Sequence, residues 1–355
     1  MYPALSVLQA IGNKAEAVLW VGSKGGMEAN LVTRRNIPFT VIPAAGVHGV
    51  GLRSLPGNLI KLAQGTRKSS QILREFKPDV LFFTGGYVAV PMSMAAKRIP
   101  SVLYVPDVEP GLALKNISQR ASAIALTVED SKKFFNPRKT MKVTGYPVRK
   151  ELFGWNRSDA MRTFGLVEDK PVLFVFGGSK GAHLINTALF AALDELLSFC
   201  QIIHITGEDD FVEARSLQNA FSMGLAGNYH PFNYLHDEMG AAYAAADMVV
   251  SRAGASTLGE LPAFGLPAIL VPYPFAWRYQ KVNADYLARS GAATVVENKD
   301  LPGRLVPEVK KILLNPQILA EKKHAMHSLA VPDAAEQIAE MILEQATRKG
   351  EVKND

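Results

Sequence analysis

The sequence predicts an α/β protein built from two doubly wound domains, each a parallel sheet covered by helices. Three observations predict it. Short β-branched or aromatic runs alternate with longer amphipathic stretches along the whole chain, the pattern of parallel strands joined by helical crossovers. Two apolar runs, Val80 to Thr84 and Val172 to Phe176, each end in a glycine pair, Gly85-Gly86 and Gly177-Gly178, ahead of a helical stretch. The 355 residues exceed one ordinary core and suit two domains of roughly 150 to 180 residues each.

Taken in order, the first half offers strands at Ala17 to Val21, Phe39 to Ile42, Val80 to Thr84, Ser101 to Tyr104 and Ile124 to Thr127. The second half offers Val172 to Phe176, Gln201 to Thr206, Met248 to Ser251, Ala268 to Val271 and Ala293 to Val296. Between them lie Gly145-Tyr146-Pro147-Val148-Arg149 and a polar stretch, Trp155 to Asp159, so the boundary is expected near residue 150. The expected domains are 1–149 and 150–355, with the last helix free to pack back on the first domain. Their ligand sites are expected to face each other across a cleft at the carboxyl ends of the strands.

Composition bounds the function. The chain is 48% hydrophobic and 20% charged, as in globular proteins, and no apolar run approaches the roughly 18 residues that cross a bilayer. Its single cysteine, Cys200, allows neither an internal disulfide nor a cysteine-based metal site and fits a reducing cytoplasm. Met1-Tyr2-Pro3-Ala4-Leu5 lacks the basic flank and apolar block of a secretory signal. Residues 1–149 carry 20 Lys and Arg against 8 Asp and Glu, whereas residues 150–355 carry 19 against 25. The basic excess of the first half favours an anionic partner: nucleic acid, an anionic membrane surface or a phosphorylated substrate. Solvated lysines without a partner explain it equally well.

Two glycine-containing turns carry the chemistry. Gly177-Gly178-Ser179-Lys180-Gly181-Ala182 follows a strand and opens a helix, so its N–H groups and the helix dipole suit a phosphate. It lacks the Gly-Lys-Ser/Thr ending of a Walker loop. Ser251-Arg252-Ala253-Gly254-Ala255-Ser256-Thr257-Leu258-Gly259-Glu260 repeats the arrangement, with hydroxyls beside free N–H groups and Glu260 one turn in, where it suits two ribose hydroxyls. Thr257 to Glu260 also reads as a capping box that needs no ligand. Downstream, Gln280 and Asn283 suit sugar hydroxyls, or simply a helix surface. His48, His183, His204 and His230 show no metal-like spacing and read as structural or surface residues.

In order and spacing, Gly85-Gly86-Tyr87-Val88, Gly145 to Arg149, Gly177 to Ala182, Ser251 to Glu260 and Gln280-Lys281-Val282-Asn283-Ala284 resemble the MurG family of peptidoglycan glycosyltransferases, glycosyltransferase family 28. The resemblance runs over almost the whole chain, and the block Ser251 to Glu260 is its most specific part. It implies the GT-B fold and transfer of N-acetylglucosamine from UDP-N-acetylglucosamine (UDP-GlcNAc) to a lipid-linked muramoyl-pentapeptide. It also implies a peripheral protein of the cytoplasmic face of the cell membrane, with its N-terminal domain on the anionic inner leaflet. The implied acceptor is undecaprenyl-diphosphate-linked, with no cofactor, no metal and no nucleic acid. By the same resemblance Ser179, Ala255, Ser256 and Thr257 contact the diphosphate, Gly177, Gly178, Gly181 and Gly254 shape the phosphate loops, and Arg149 approaches the donor phosphates. Glu260 holds the ribose, Leu235, His236 and Met239 of the loop Tyr234 to Met239 pack on the uracil, and Gln280 and Asn283 read the sugar.

Three departures fall on the acceptor and sugar side. The family's Gly-Gly-Thr-Gly-Gly-His loop, which precedes the equivalent of Tyr2-Pro3, has no counterpart. A strand and its loop, roughly 15 to 20 residues, are therefore expected ahead of Tyr2. Without that central strand two inner strands are expected to keep unpaired backbone groups. In place of His-Glu-Gln-Asn stands Tyr104-Val105-Pro106-Asp107, followed by Val108-Glu109-Pro110-Gly111, and Arg278-Tyr279 precede Gln280.

The expected mechanism is an inverting single displacement without a metal. UDP departs with its charge held by two helix N-termini and Arg149, and Asp107 or Glu109 takes the acceptor's proton. Asp107-Val108-Glu109 as a divalent metal site, or as a plain turn between Pro106 and Pro110, are the competing readings. Leu55 to Leu62, with Arg53, Arg67 and Lys68, reads either as an interfacial patch or as a buried helix face with a charged flank. A UDP-GlcNAc 2-epimerase, another UDP-sugar transferase and a non-catalytic UDP-sugar-binding subunit are the alternative functions.

Overall fold

The computed structural model describes residues 1–23, 26, 28–45, 55–178, 182–274 and 279–351. The chain divides into two units, Met1–Pro147 with Asp333–Asp355, and Val148–Pro332. The C-terminal helix Ala334–Glu351 thus belongs with the first unit, where it packs on the first helix, Tyr2–Ile11, and on the strand Ser101–Val105. Ala334, Ala335, Ile338, Ala339 and Ile342 are buried along it, the helical spacing of one apolar face.

In the first unit β1 (Trp20–Gly22) pairs parallel with β2 (Phe39–Val41). A separate parallel sheet runs β3 (Leu81–Phe83), β4 (Ser101–Val105), β5 (Ala123–Leu126) and β6 (Thr140–Val143) in sequence order. Among the described residues β1 pairs only with β2, and β3 only with β4. Val21 of β1 nevertheless packs against the same apolar cluster as Leu81, Phe83, Leu103 and Ile124.

The second unit holds one six-stranded parallel sheet of β7 (Val172–Phe176), β8 (Gln201–Ile205), β9 (Tyr229–Phe232), β10 (Met248–Ser251), β11 (Ala268–Leu270) and β12 (Ala293–Val295). Their order is β12-β11-β10-β7-β8-β9, the doubly wound arrangement in which the first strand is central. Strands β7, β8 and β10 are buried along their whole length, as a sheet covered on both faces requires. The helix Leu301–Leu313 contributes Leu301, Leu305, Val309 and Ile312 to the core beneath them.

All ten expected strands are present, and two more were not expected. β6 reads Thr-Met-Lys-Val with exposed and half-buried positions in alternation, too short and polar for its apolar pattern to stand out. β9 contains Pro231, which argues against a strand in sequence terms. Because β9 is the outermost strand, the missing N–H of Pro231 costs no ladder bond.

Candidate functional site

The register of the second sheet brings the two glycine-containing turns together. β7 and β10 are neighbours with Phe176 opposite Ser251, so Gly177 and Arg252 leave the sheet side by side at its carboxyl edge. From there β7 leads on to β8 and β10 to β11, in opposite directions along the sheet. A crevice opens at such a reversal, and ligands of doubly wound sheets bind there. Gly178 sits at φ 105°, which only glycine adopts without strain. Gly254 has no positive φ, and a Cβ added to it meets nothing within 4 Å, so neither backbone nor packing asks for glycine there. Ser179, Lys180 and Gly181 lie outside the described residues.

Glu260 sits on the helix Thr257–Phe264 that follows β10. It is only 8% exposed, and Tyr243 donates its phenol proton to Oε2 at 2.8 Å. Burial raises its pKa, while the bonds from Tyr243 and the Ser256 hydroxyl and the nearby Arg149 charge favour the carboxylate. Tyr243 gets there because its helix, Met239–Ala245, packs closely on the turn Lys150–Phe153. A Cβ on Gly240 would stand 2.4 Å from the Leu152 carbonyl, so glycine alone permits that approach. The capping box is not formed: Ser256 is the N-cap residue, Thr257 donates its hydroxyl to the Gly254 carbonyl at 2.6 Å, and Glu260 faces Tyr243. The carboxylate thus reaches a tertiary partner, Tyr243, as well as the Ser256 hydroxyl at its own helix end.

The turn from Arg252 to Ser256 is braced from behind. Arg252 donates to the Val271 carbonyl at 3.0 Å and to Asn298 Oδ1 at 2.6 Å, with its guanidinium 5.4 Å from the Tyr273 ring. Asn283 was expected on the sugar, but it is fully buried and its amide donates to the Ala253 carbonyl at 3.1 Å. Its place is under the loop, where it fixes backbone that a ligand would touch. Gln280, on the same helix Tyr279–Arg289, accepts from the Tyr273 N–H at 2.9 Å and so shapes the turn after β11. Arg278 lies outside the described residues.

On the far side of β7, two strands along, β9 delivers the loop Tyr234 to Met239 to the same edge. Leu235 is buried, His236 is exposed against the Tyr234 ring at 4.6 Å, and Met239 is half-buried. Ala255 and Ser256 are half-buried and Thr257 is buried. The edge therefore presents, in order, an apolar and aromatic loop, the Gly177-Gly178 turn, and the hydroxyl-bearing turn before Glu260.

In the first unit β4 ends at Val105, just before Pro106, and the loop carrying Asp107 and Glu109 is pinned by Ser131, which donates to the Val108 carbonyl at 2.8 Å. Asp107 is half-buried. Glu109 is buried and ion-paired with Lys115 at 3.6 Å, which ties it to the helix Leu112–Ser118. Tyr104 donates to Thr127 Oγ1 at 2.7 Å, since that hydroxyl gives its own proton to the Val105 carbonyl. Burial first, then Tyr146 and Asp107, push the Tyr104 phenol well above its usual range, so it stays protonated. The helix Leu55–Phe76 exposes Leu59 and Ile60 beside Lys61, while Arg53 lies outside the described residues. Among the described residues no three His, Cys, Asp or Glu side chains gather closely enough to hold a metal ion, and no helix is long and apolar enough to cross a membrane.

Sequence reasoning missed Tyr243, an aromatic in an alanine-rich helix with no local signal of its partner 17 residues away.

Comparison with known proteins completes the picture. Residues 1–126 match the glycosyltransferase family 28 N-terminal domain and residues 172–338 its C-terminal domain. A UDP-N-acetylglucosamine--N-acetylmuramyl-(pentapeptide) pyrophosphoryl-undecaprenol N-acetylglucosamine transferase of Roseiflexus sp. (strain RS-1) is 39% identical, the match covering 91% of this chain and 82% of that one. The protein of the same description from Bacillus subtilis (strain 168) is 34% identical, over 97% and 96% of the two chains. Among solved structures, MurG of Acinetobacter baumannii matches with a TM-score of 0.77 at 26% identity, over 97% of this chain and 95% of that one. With both domain models and near full-length relatives in agreement, the chain belongs to glycosyltransferase family 28.

Proposed function

We propose that this chain transfers N-acetylglucosamine from UDP-GlcNAc to the lipid-linked muramoyl-pentapeptide of peptidoglycan synthesis, the reaction for which its relatives are named. The observation that carries the donor half is the pairing of two glycine-containing turns at the reversal point of the second sheet, beside a buried carboxylate. Anionic diphosphate suits the N–H groups of those turns, and the helix ends stabilise the charge that grows on UDP as the sugar leaves. Arg149, whose charge already acts on Glu260, adds to that stabilisation. Glu260, oriented by Tyr243, accepts from the ribose hydroxyls, and the loop with Leu235, His236 and Met239 packs on the base. Gln280 reads the sugar.

The acceptor hydroxyl attacks the anomeric carbon in a single displacement with inversion, and a carboxylate takes its proton. Asp107 suits that role better than Glu109, which is buried and committed to Lys115. The protein works as a peripheral protein on the cytoplasmic face of the membrane, where the exposed Leu59 and Ile60 and the basic residues around them meet anionic lipid.

Radiolabelled UDP-GlcNAc incubated with the protein and membranes carrying the lipid-linked acceptor tests the reaction. Label in extractable lipid, absent when acceptor is withheld, is the expected result. Label in free N-acetylmannosamine-type product without acceptor identifies an epimerase instead.

A further inference from the structure

A group of aromatic side chains inside the second unit fixes the Tyr243 phenol in place. Tyr243 is buried, on the helix Met239–Ala245 that Gly240 lets settle against the Leu152 carbonyl. Its ring meets Phe174 and Phe176 of β7 edge-on, at 5.5 and 6.0 Å between centroids. It also stacks on Phe264 at 5.2 Å, and Phe264 stacks in turn on Phe153 at 5.3 Å. Aromatic pairs in these arrangements add to the stability that burial gives.

Two of the partners bear on the site. Phe176 is the last residue of β7, directly ahead of Gly177-Gly178, and Phe264 lies one turn beyond Glu260 on the helix after β10. One side chain therefore touches the strand that leads into the first turn and the helix that leaves the second. With the ring held by three aromatic neighbours, its hydroxyl is aimed at Glu260 Oε2, 2.8 Å away.

Packing alone does not call for a charge at position 260. Burial raises the Glu260 pKa, so an ionised side chain there carries a desolvation cost that glutamine, equally able to accept from a phenol, largely avoids. The charge is useful where further donors arrive. An ionised carboxylate has about four acceptor positions, so the bonds from Tyr243 and the Ser256 hydroxyl leave about two. Those suit two vicinal hydroxyls. The gain from them depends on aim, because a side chain that must be ordered on binding loses rotamer entropy, whereas one already held does not.

We propose that Tyr243 is a positioning residue for the donor's ribose, holding the Glu260 carboxylate in the orientation that two vicinal hydroxyls require. The proposal rests on the donor reading of Glu260 given above. Tyr243, being buried, acts through that carboxylate and not on the ligand itself. It therefore sets the preference for ribose over deoxyribose and leaves recognition of the base and the diphosphate to other residues.

The test is the ratio of two affinities of the full chain, for uridine 5′-diphosphate and 2′-deoxyuridine 5′-diphosphate, titrated by calorimetry at a single pH. Base and diphosphate are common to both probes, so the ratio reports the hydroxyl. The parent is expected to favour UDP by about tenfold or more, the value of a hydrogen bond to a charged acceptor. Tyr243→Phe keeps the aromatic contacts of the ring, and the fold with them, and its preference is expected to drop to about threefold or less. Glu260→Gln should lose the preference as well. Adding Tyr243→Phe to it should lower the ratio no further, as for two residues that act through one contact. A Tyr243→Phe protein that retains the parent's ratio, whatever its absolute affinities, overturns the proposal, because weaker binding of both probes alike is loss of structure and not of aim. A further drop in the double variant overturns it too. A parent without preference, or a Glu260→Gln protein that keeps it, overturns the ribose reading, and the proposal with it.

Discussion

Two turns that look alike in the sequence meet different surroundings. Gly85-Gly86 follows β3 and Gly177-Gly178 follows β7, and Gly85 and Gly178 share a positive φ, 100° and 105°. A Cβ on Gly85 would stand 3.2 Å from the Leu114 side chain, whereas one on Gly86 or on Gly178 meets nothing within 4 Å. β3 has one strand neighbour among the described residues, while β7 lies between β8 and β10 at the reversal of its sheet. A strand ending in two glycines therefore reports a tight turn. Whether open space stands before that turn is decided by the strand's place in the sheet and by what the next helix puts there.

The proposed function divides donor binding and proton transfer between the second and first units, and variants can break that division. The largest effect is expected from Asp107→Ala, a fall in turnover of about 100-fold or more with UDP affinity within a few-fold of the parent. Glu109→Ala should cost far less turnover. Steady-state kinetics beside UDP titration checks both, and near-normal turnover in Asp107→Ala removes it as the base.

Next in size is Glu260→Gln, which keeps the shape but not the charge. UDP binding is expected to weaken by roughly 1.5 to 3 kcal/mol, the value of a charge-assisted acceptor, while the thermal midpoint holds. Unchanged affinity in a folded variant would mean that Glu260 serves only Tyr243.

A paired test then sharpens the contrast between filled and open turns. Gly85→Ala forces a positive φ on alanine against Leu114 and should lower stability by about 1 to 3 kcal/mol. Gly254→Ala has room for its Cβ, so stability should change by about 0.5 kcal/mol or less. Its UDP affinity should nevertheless drop by about tenfold or more, because the methyl occupies the ligand's space. Denaturant melts and UDP titrations on the two variants separate the effects, and equal UDP binding in Gly254→Ala and the parent would argue against a phosphate at that turn.

The smallest effect concerns the opposite end of the same two strands. Asp247, just before β10, accepts from the Val172 N–H at 3.0 Å and pairs with Arg157 at 2.8 Å and Lys323 at 3.1 Å. Burial alone would raise its pKa, but the bonds from Val172 and Arg157 and the charges of Lys323 and Arg157 prevail and lower it. A carboxylate whose folded pKa is depressed stabilises the fold above its unfolded value, near 3.9, and loses that contribution as pH falls through the folded value. Asp247→Asn is expected to cost about 1 kcal/mol at neutral pH, with the gap to the parent closing below about pH 4. Urea melts across that range measure it, and a gap independent of pH would show that the charge is not the cause.

What the sequence determined by itself is local and periodic. Runs such as Val172 to Phe176 and Met248 to Ser251 are buried along their length because both faces of their sheet are covered, and ten of the twelve strands among the described residues were legible from such β-branched or aromatic runs. The turn from Arg252 to Ser256 was legible because small residues and hydroxyls between a strand and a helix serve few other purposes. Tertiary structure alone decided the rest. Pro231 became strand only because β9 is an edge, and Asn283 left the candidate ligand surface because its helix lies under the Ala253 carbonyl. Glu260 found Tyr243 beyond the Ser256 hydroxyl at its own helix end, and Asp210 makes no cap bond but holds His183 and Asn186. Each of these joins residues at least 17 positions apart or depends on strand order, and a polar side chain's partner is fixed by whichever distant group is packed beside it, which no local pattern encodes.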